Sequence, residues 1–330
     1  ALFRVLGNYD STRLQVNGGT VTGTPLVDGA EVGFGSAADV EVHLRRTCEL
    51  VSDIPEPVHL IAGVATVETR CDFPADVQCA GTITCEVPGT ANTYLGSAGR
   101  TLALEETGVL NLLPGGGGTN YMRCHFTSAG TVNVTGSAIA DQDGQILTLR
   151  DPGTCNVAAG GRFEMDADDQ TLTIEGGTLD VDGEFQFDSA SGTCSVNQSG
   201  GDVDVSGTLL IRKLSAKPDV NLTGGTIGGT GEAVLRQVDL AFGPAMGDAD
   251  LILRGSSDLL SDIPSGAVLT LDGGTTSASL ISTIAFRNDG EIHLTGSSGN
   301  QVYVDCGGTG IDNRGVIDIH PGNGTRELRG

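Results

Sequence analysis

Four aspartates near the middle of the chain have the spacing of a metal site or an acid–base site. Asp180 and Asp182 lie in GTLDVDG, and Asp202 and Asp204 lie in GDVDV one repeat later. Carboxylates that face each other repel, so either one keeps its proton or a cation lies between them. Calcium prefers such oxygen ligands, and paired carboxyl groups also catalyse glycoside hydrolysis. The sequence therefore offers these four aspartates as calcium ligands, and a solvated acidic face is the simplest alternative.

These aspartates belong to a repeat of about two dozen residues. Residues 130, 153, 177, 201, 225, 249, 274, 299 and 324 open short segments such as GTVNV, GTLDV and GDVDV, and all of them except Ala249 are glycines. A second glycine column follows at 136, 160, 183, 207, 231 and 255. A third apolar run, such as TLTI at 171–174, lies between the two glycine columns, so each period contains three short strands. Such short strands bury their apolar side chains only when one period stacks on the next. The pattern predicts an all-β parallel β-helix with three short strands per coil of about 24 residues.

Alternation within the first strand of each coil assigns side chains to the two faces of the sheet. Val132, Leu179 and Val203 fall at inward positions, whereas Asp180 and Asp204 fall at outward ones. Asp180 and Asp204 are therefore expected in one column. Outward Thr and Asn side chains are expected to form ladders of hydrogen bonds between coils.

Residues 1–125 keep the composition of the repeat but lose its regular interval. LVSDIPEPVHLIAG at 50–63 is echoed by LLSDIPSGAVLTLDGG at 259–274, which predicts that these two places are built alike. Four of the eight cysteines lie between 48 and 85. We expect irregular coils or a cap with disulfides in 1–125, and a regular helix of coils in 126–330.

The period and the GGT-type turns over roughly residues 126–330 resemble the right-handed parallel β-helix superfamily. That superfamily includes pectate-lyase-like enzymes, phage tailspikes and secreted bacterial surface proteins and adhesins. The resemblance implies a right-handed coil, in agreement with the general rule for parallel crossovers. Its enzymes usually carry either calcium-binding acids with a basic catalytic residue or a cluster of acids. No arginine shares the column of Asp180 and Asp204, because Arg162 and Arg212 follow other glycines.

Composition limits the partners and the compartment. The net charge is −24, and only two of the eighteen basic residues are lysines. Without a basic stripe to neutralise phosphates, a nucleic-acid partner is not expected. No run of eighteen apolar residues is present, so this chain is not expected to insert into a membrane.

Cysteines and glycosylation triplets favour an oxidising, extracellular setting. The cysteine number is even and contains no C-x-x-C pair, so disulfides are favoured over a zinc ribbon, although Cys155 and Cys194 could also be small buried apolar residues. The disulfide candidates are Cys48, Cys71, Cys79, Cys85, Cys124, Cys155, Cys194 and Cys306. Glycosylation triplets begin at Asn133, Asn197, Asn221 and Asn323.

The remaining motifs do not predict catalysis. The five histidines are scattered, although His293 in EIHL and His320 after VIDI could lie one coil apart. The GGGG run at 115–118 lacks the Lys-Ser/Thr of a phosphate-binding loop.

Two classes of function follow from these observations. The favoured class is an extracellular or cell-surface structural protein, either a self-assembling filament, sheath or layer subunit or an adhesin-like stalk. The alternative is a carbohydrate-active enzyme or glycan-binding β-helix that uses an acidic strand face. Self-association is the expected interaction, glycans or other cell-surface components are further candidate partners, and calcium is the one cofactor considered.

Overall fold

A computed structural model describes residues 4–6, 12–21, 23–63, 67–87, 89–115, 117–141, 144–189, 191–296 and 298–330. Within these ranges the regular elements are β-strands, and neighbouring strands pair in parallel. The fold is thus a parallel β-solenoid with coils of about 24 residues, which confirms the all-β class and the coil length. Handedness remains a prediction.

The chain divides into two compact units, 1–165 and 166–330. The predicted boundary at 125/126 marks a change in sequence regularity and lies inside the first unit. It remains a prediction. A search of the described residues found no helix long and apolar enough to cross a bilayer.

The first unit consists of short strands separated by turns. In chain order they are β1 (Arg4–Leu6), β2 (Arg13–Thr20), β3 (Leu26–Asp28), β4 (Glu31–Arg45), β5 (Thr47–Leu50), β6 (Val58–Ala62), β7 (Thr69–Asp72), β8 (Val77–Cys79), β9 (Thr82–Cys85), β10 (Thr93–Leu95), β11 (Thr101–Leu104), β12 (Val109–Leu112), β13 (Asn120–Met122), β14 (His125–Ser128), β15 (Thr131–Val134), β16 (Ser137–Ala140), β17 (Ile146–Leu149), β18 (Thr154–Val157) and β19 (Arg162–Met165).

Three stacks of parallel strands build this unit. One contains β6, β9, β12, β15 and β18, the second contains β5, β7, β10, β13, β16 and β19, and the third contains β8, β11, β14 and β17. Burial alternates along most of these strands, because every second side chain points into the coil. The inward ladder is confirmed where Val132 lies opposite Cys155, and both are at most 2% exposed.

The second unit has the same construction. Its strands are β20 (Thr171–Ile174), β21 (Thr178–Val181), β22 (Glu184–Ser189), β23 (Ser195–Val205), β24 (Thr208–Lys213), β25 (Asp219–Gly228), β26 (Glu232–Arg236), β27 (Asp239–Leu259), β28 (Ala267–Asp272), β29 (Ala278–Ile281), β30 (Phe286–Asn288), β31 (Glu291–Thr295), β32 (Val302–Asp305), β33 (Ile311–Asn313), β34 (Val316–Ile319) and β35 (Arg326–Arg329). The stack of β21, β23 and β25 carries the aspartates, and its inward Leu179, Val203 and Ile227 align as predicted.

The regular interval predicted for the second unit is wrong around β27. The 24-residue interval predicted that Ala249, in the next coil, lies opposite Gly225. The structure instead pairs Ala249 with Ile227 and Gly225 with Met246. Leu253 then pairs with Leu271, only 18 residues later. The chain runs through β27 as one long strand, so this coil is shorter than its neighbours. Alternation in ADLILRG fits either alignment, since a shift by two residues keeps the same side chains inward.

Glycines are needed where successive coils touch. Gly177 and Gly201 have φ values of 73° and 71°, a region that L side chains rarely adopt. A Cβ on Gly201 would also lie 2.5 Å from the carbonyl oxygen of Gly177 in the preceding coil. Both reasons explain why the repeat is punctuated by glycine.

Candidate functional site

The structure brings the predicted aspartates together as a column and not as a closed cluster. Asp180 on β21 lies directly opposite Asp204 on β23, as the sequence predicted. Asp202 lies opposite Thr178 and accepts a 2.7 Å hydrogen bond from the hydroxyl of Thr226. Asp182 follows the end of β21 and is exposed, as are Asp202 and Asp204.

Asp180 is the partly buried member of this acidic face. Burial raises the pKa of its carboxyl group above the ordinary value, and the negative charges of Asp182 and Asp204 add to the shift. Among the described residues, no three of the aspartates place ligand oxygens within 4.8 Å of one another, whereas a group elsewhere meets that distance. Calcium binding by Asp180, Asp182, Asp202 and Asp204 remains a prediction.

Outward asparagines form ladders between coils, as predicted. The Asn133 amide donates to Asn111 Oδ1 at 2.9 Å, and the Asn156 amide donates to Asn133 Oδ1 at 3.0 Å. In the second unit the Asn221 amide donates to Asn197 Oδ1 at 2.9 Å. Each ladder bond links neighbouring coils on their outer face.

Three of the glycosylation candidates are members of these ladders. The Nδ2 atoms of Asn133, Asn197 and Asn221, where a glycan would be attached, donate hydrogen bonds in strands. Asn323 lies in an exposed turn between β34 and β35 and is the candidate whose position suits a surface glycan. Glycosylation itself remains a prediction at all four residues.

The predicted disulfides are not confirmed. All eight cysteines lie in the described part of the chain, carry free thiols and are buried. They occupy inward positions of the coils, as Cys48 and Cys71 do where they face each other on β5 and β7. Burial raises the pKa of Cys79, Cys85 and Cys124 to about 12, so these thiols stay protonated. The suggestion made for Cys155 and Cys194, that they are small apolar residues, describes the environment of all eight.

The two SDIP segments, at 52–55 and 261–264, adopt the same local structure, as their echo predicted. Ser52 Oγ accepts the Phe34 N–H at 2.7 Å, and Ser261 Oγ accepts the Phe242 N–H at the same distance. Each serine hydroxyl also donates to the carbonyl oxygen of the next residue at 3.0 Å.

The aspartates of these segments reach the following coil. Asp53 Oδ1 accepts the Gln78 N–H at 2.8 Å, and Asp262 Oδ1 accepts the Arg287 N–H at 2.7 Å. Beside each SDIP segment lies an open cleft, of about 500 Å³ in the first unit and about 470 Å³ in the second. The first cleft includes one phenylalanine and three acids, and the second includes one phenylalanine, two acids and Arg287.

No family model, curated protein or solved structure matches the chain.

The last coil of the second unit leaves one side of its strands open. Within the described residues, β33, β34 and β35 pair only with the coil before them. Ile319 and Leu328 are 46% and 48% exposed, whereas their partners one coil earlier, Leu294 and Val304, are fully buried. The same inward columns thus end in apolar side chains that nothing in the described chain covers.

Four of the five histidines lie in two groups that each contain a carboxylate. In the second unit His293 Nδ1 lies 3.9 Å from Asp318 Oδ2, and His320 Nε2 lies 3.2 Å from the same oxygen. The ligand atoms of these three residues all lie within 4.8 Å of one another. In the first unit Glu41 lies between His43 and His59, at 3.0 and 3.3 Å.

Sequence reasoning described the histidines as scattered and noted only that His293 and His320 could lie one coil apart, so it missed Asp318 between them and the whole group around Glu41. The sequence did contain a signal for this pair. EIHL and VIDI are successive strands of one stack, and when the two segments are aligned His293 falls opposite Asp318. Reading the strands against each other, and not along the chain, would have found the pair.

Proposed function

We propose that the protein is an extracellular structural subunit that self-associates through the open edge of its C-terminal coil. The single observation that carries the proposal is the exposure of Ile319 and Leu328 in columns that are otherwise fully buried. An open strand edge offers unpaired N–H and C=O groups to an added strand. A second copy of this chain is the proposed occupant.

Charge supports association at this coil. Residues 311–330 contain three arginines and three acids, in a chain whose net charge is −24. The arginines are Arg314, Arg326 and Arg329, and the acids are Asp312, Asp318 and Glu327. A partner strand can therefore approach this coil without the repulsion that the acidic faces elsewhere on the chain would produce.

Strands near the N-terminus are suitable partners. Within the described residues of the first unit, β1 pairs only with β3, and β2 pairs only with β4. The first 20 residues carry two arginines and one acid. Addition of such a strand to β34 or β35 of another copy would continue the parallel pairing head to tail and favour an open polymer.

The SDIP clefts are the strongest observation for the alternative, a glycan-binding or carbohydrate-active protein. Their aspartates, however, already accept backbone N–H groups of the next coil. A neighbouring acid of the first cleft, Asp76, does the same with the Thr101 N–H at 2.9 Å. Because these carboxylates join coils together, we favour the structural role.

The double variant Ile319→Lys/Leu328→Lys tests the proposal. Wild-type protein should increase in mass with concentration during sedimentation velocity and form ordered polymers in electron microscopy. Burying each apolar side chain contributes about 1.5–3 kcal/mol, so the double variant should associate at least about tenfold more weakly.

Leu214→Lys/Leu260→Lys is the matched control, since these side chains are also about half exposed but lie before β28, outside the last two coils. The control should associate as the wild type does, and circular dichroism should show the same fold for all three proteins. A monomeric wild type at millimolar concentration, or equal loss of association in the control, would contradict the proposal.

A further inference from the structure

We propose that His293, Asp318 and His320 bind one divalent transition-metal ion of the zinc type on the outer face of the last two coils. The inference is independent of self-association, because it concerns a different face of these coils.

Parallel pairing positions the three side chains. His293 on β31 and Asp318 on β34 are direct partners across a spacing of about 4.8 Å. His320 follows two residues after Asp318 and therefore points to the same face. The two imidazole rings lie 5.8 Å apart, with their planes 44° from parallel.

The distances between ligand atoms are close to those of a metal site. A tetrahedral ion with bonds of about 2.0–2.1 Å holds its ligand atoms about 3.4 Å apart. In the structure Asp318 Oδ2 lies 3.2 Å from His320 Nε2 and 3.9 Å from His293 Nδ1. Small side-chain rotations on this open face would bring all three to one ion and leave a further position for water.

Glu291 prepares His293 as a ligand. Its carboxylate lies 3.0 Å from His293 Nε2, so in the neutral imidazole that nitrogen donates its proton to Glu291 and Nδ1 is the nitrogen with the free lone pair. A carboxylate behind a ligating imidazole fixes the ring and its tautomer in known zinc sites. Here the lone pair of Nδ1 faces Asp318 and His320.

The donor set selects the class of ion. Two imidazole nitrogens and one carboxylate oxygen favour zinc, nickel, cobalt or copper, whereas calcium and magnesium prefer sites made only of oxygen. His293 is 22% exposed, and Asp318 and His320 are about half exposed, so an ion can reach all three.

The histidine group of the first unit provides an internal comparison. Glu41 contacts His43 through Oε1 and His59 through Oε2, and His59 Nε2 is also 2.8 Å from the hydroxyl of Thr84. The ligand atoms of this group do not all fall within 4.8 Å of one another. Two histidines and a carboxylate, here from glutamate, are thus present without a common point for an ion.

Isothermal titration calorimetry of the full untagged chain, first stripped with a chelator, tests the proposal with zinc chloride as the probe. We expect one zinc per chain, with affinity at least tenfold weaker in His293→Ala and His320→Ala. His43→Ala and His59→Ala should bind zinc as the wild type does. Glu291→Gln should weaken binding by about tenfold, the lower end of the effect of losing such a supporting group.

Thermal unfolding gives a second readout, because an ion that joins β31 to β34 stabilises the folded chain. Zinc should raise the melting temperature of the wild type and of His43→Ala, but not of His293→Ala. The proposal would be overturned if wild-type protein released no heat with zinc, if His293→Ala and His320→Ala bound zinc like the wild type, or if excess calcium abolished the zinc binding that these two variants lose.

Discussion

At the scale of single residues, stacking decides which side chains meet. Asp180 and Asp204 face each other because they occupy the same position in successive coils, and this was visible in the sequence. The environment of Asp180 was not visible, since its raised pKa depends first on burial and then on two neighbouring charges. The alternation of side chains predicts which residues of successive coils face each other. It does not predict how deeply a side chain is buried, because burial depends on all the surrounding residues.

Asp180→Asn should stabilise the protein near neutral pH. The folded-state pKa of Asp180 is raised, so the folded chain holds this proton more tightly than the unfolded chain does. Ionisation of Asp180 therefore lowers the free energy of unfolding as the pH rises from 3.8, the ordinary pKa of an aspartate, through the raised pKa of the folded state. Asp180→Asn removes one of two facing charges and should therefore raise the free energy of unfolding by about 0.5 kcal/mol at pH 7. It should have no effect at pH 3.

Urea unfolding at both pH values measures this effect. Asp250→Asn serves as control, since Asp250 is exposed and faces Val268 instead of an acid. Loss of stability in Asp180→Asn at pH 7 would show that the carboxylate is bound by something favourable. A gain of wild-type stability in millimolar calcium that Asp180→Asn abolishes would support the calcium hypothesis.

The cysteines show a different limit of prediction from sequence. Their even number suggested disulfides, but each lies at an inward position, and Cys48 and Cys71 simply continue an apolar ladder. Inward position followed from the alternation, whereas bond formation does not follow from count or spacing.

At the scale of elements, the SDIP segment is a reusable connection between coils. In both units the serine holds the preceding coil and the aspartate holds the following one. A glycine in the following coil passes close by, and a Cβ on Gly81 or Gly290 would lie 2.4 Å from a carbonyl oxygen of the SDIP turn or the strand after it. The echo in the sequence was sufficient to predict this shared structure.

Ser52→Ala and Ser261→Ala should each destabilise the protein by about 1 kcal/mol, because each leaves a backbone N–H without its 2.7 Å acceptor. The urea midpoint measures the loss. Ser215→Ala, at an exposed turn between β24 and β25, is the control and should change the midpoint little. If the two SDIP variants behave like this control, the serine bonds contribute nothing to holding the coils.

Coil length was the part of the element pattern that the sequence predicted least well. Coils follow an interval of about 24 residues, but Leu253 to Leu271 spans 18, as does Val40 to Val58 in the first unit. Inward and outward positions survive such a change when the shift is even, so alternation alone cannot reveal which coil is short.

At the scale of the whole molecule, the net charge opposes association, and the proposed contact does not add to that repulsion. The net charge of −24 produces long-range repulsion between copies, whereas residues 311–330 are balanced. Raising the salt concentration from 10 to 150 mM shortens the screening length from about 30 Å to about 8 Å.

Self-association should therefore strengthen with salt, by several-fold over this range, as measured by sedimentation velocity. The Ile319→Lys/Leu328→Lys variant should remain largely monomeric at both concentrations. Association that weakens as salt is added would show that ionic contacts, and not apolar burial, hold the copies together.

The alternation of buried and exposed side chains also determines which changes of chain length the fold can tolerate. Deleting one residue inside β15 would turn Val134 outward and move a polar neighbour into the interior. Successive side chains of a strand point to opposite faces, so a shift of one residue exchanges the two faces. Removing a complete coil would instead leave every surviving ladder with a suitable neighbour. Evolution of such a chain is therefore expected to proceed by gain or loss of entire turns, with single-residue insertions confined to the corners.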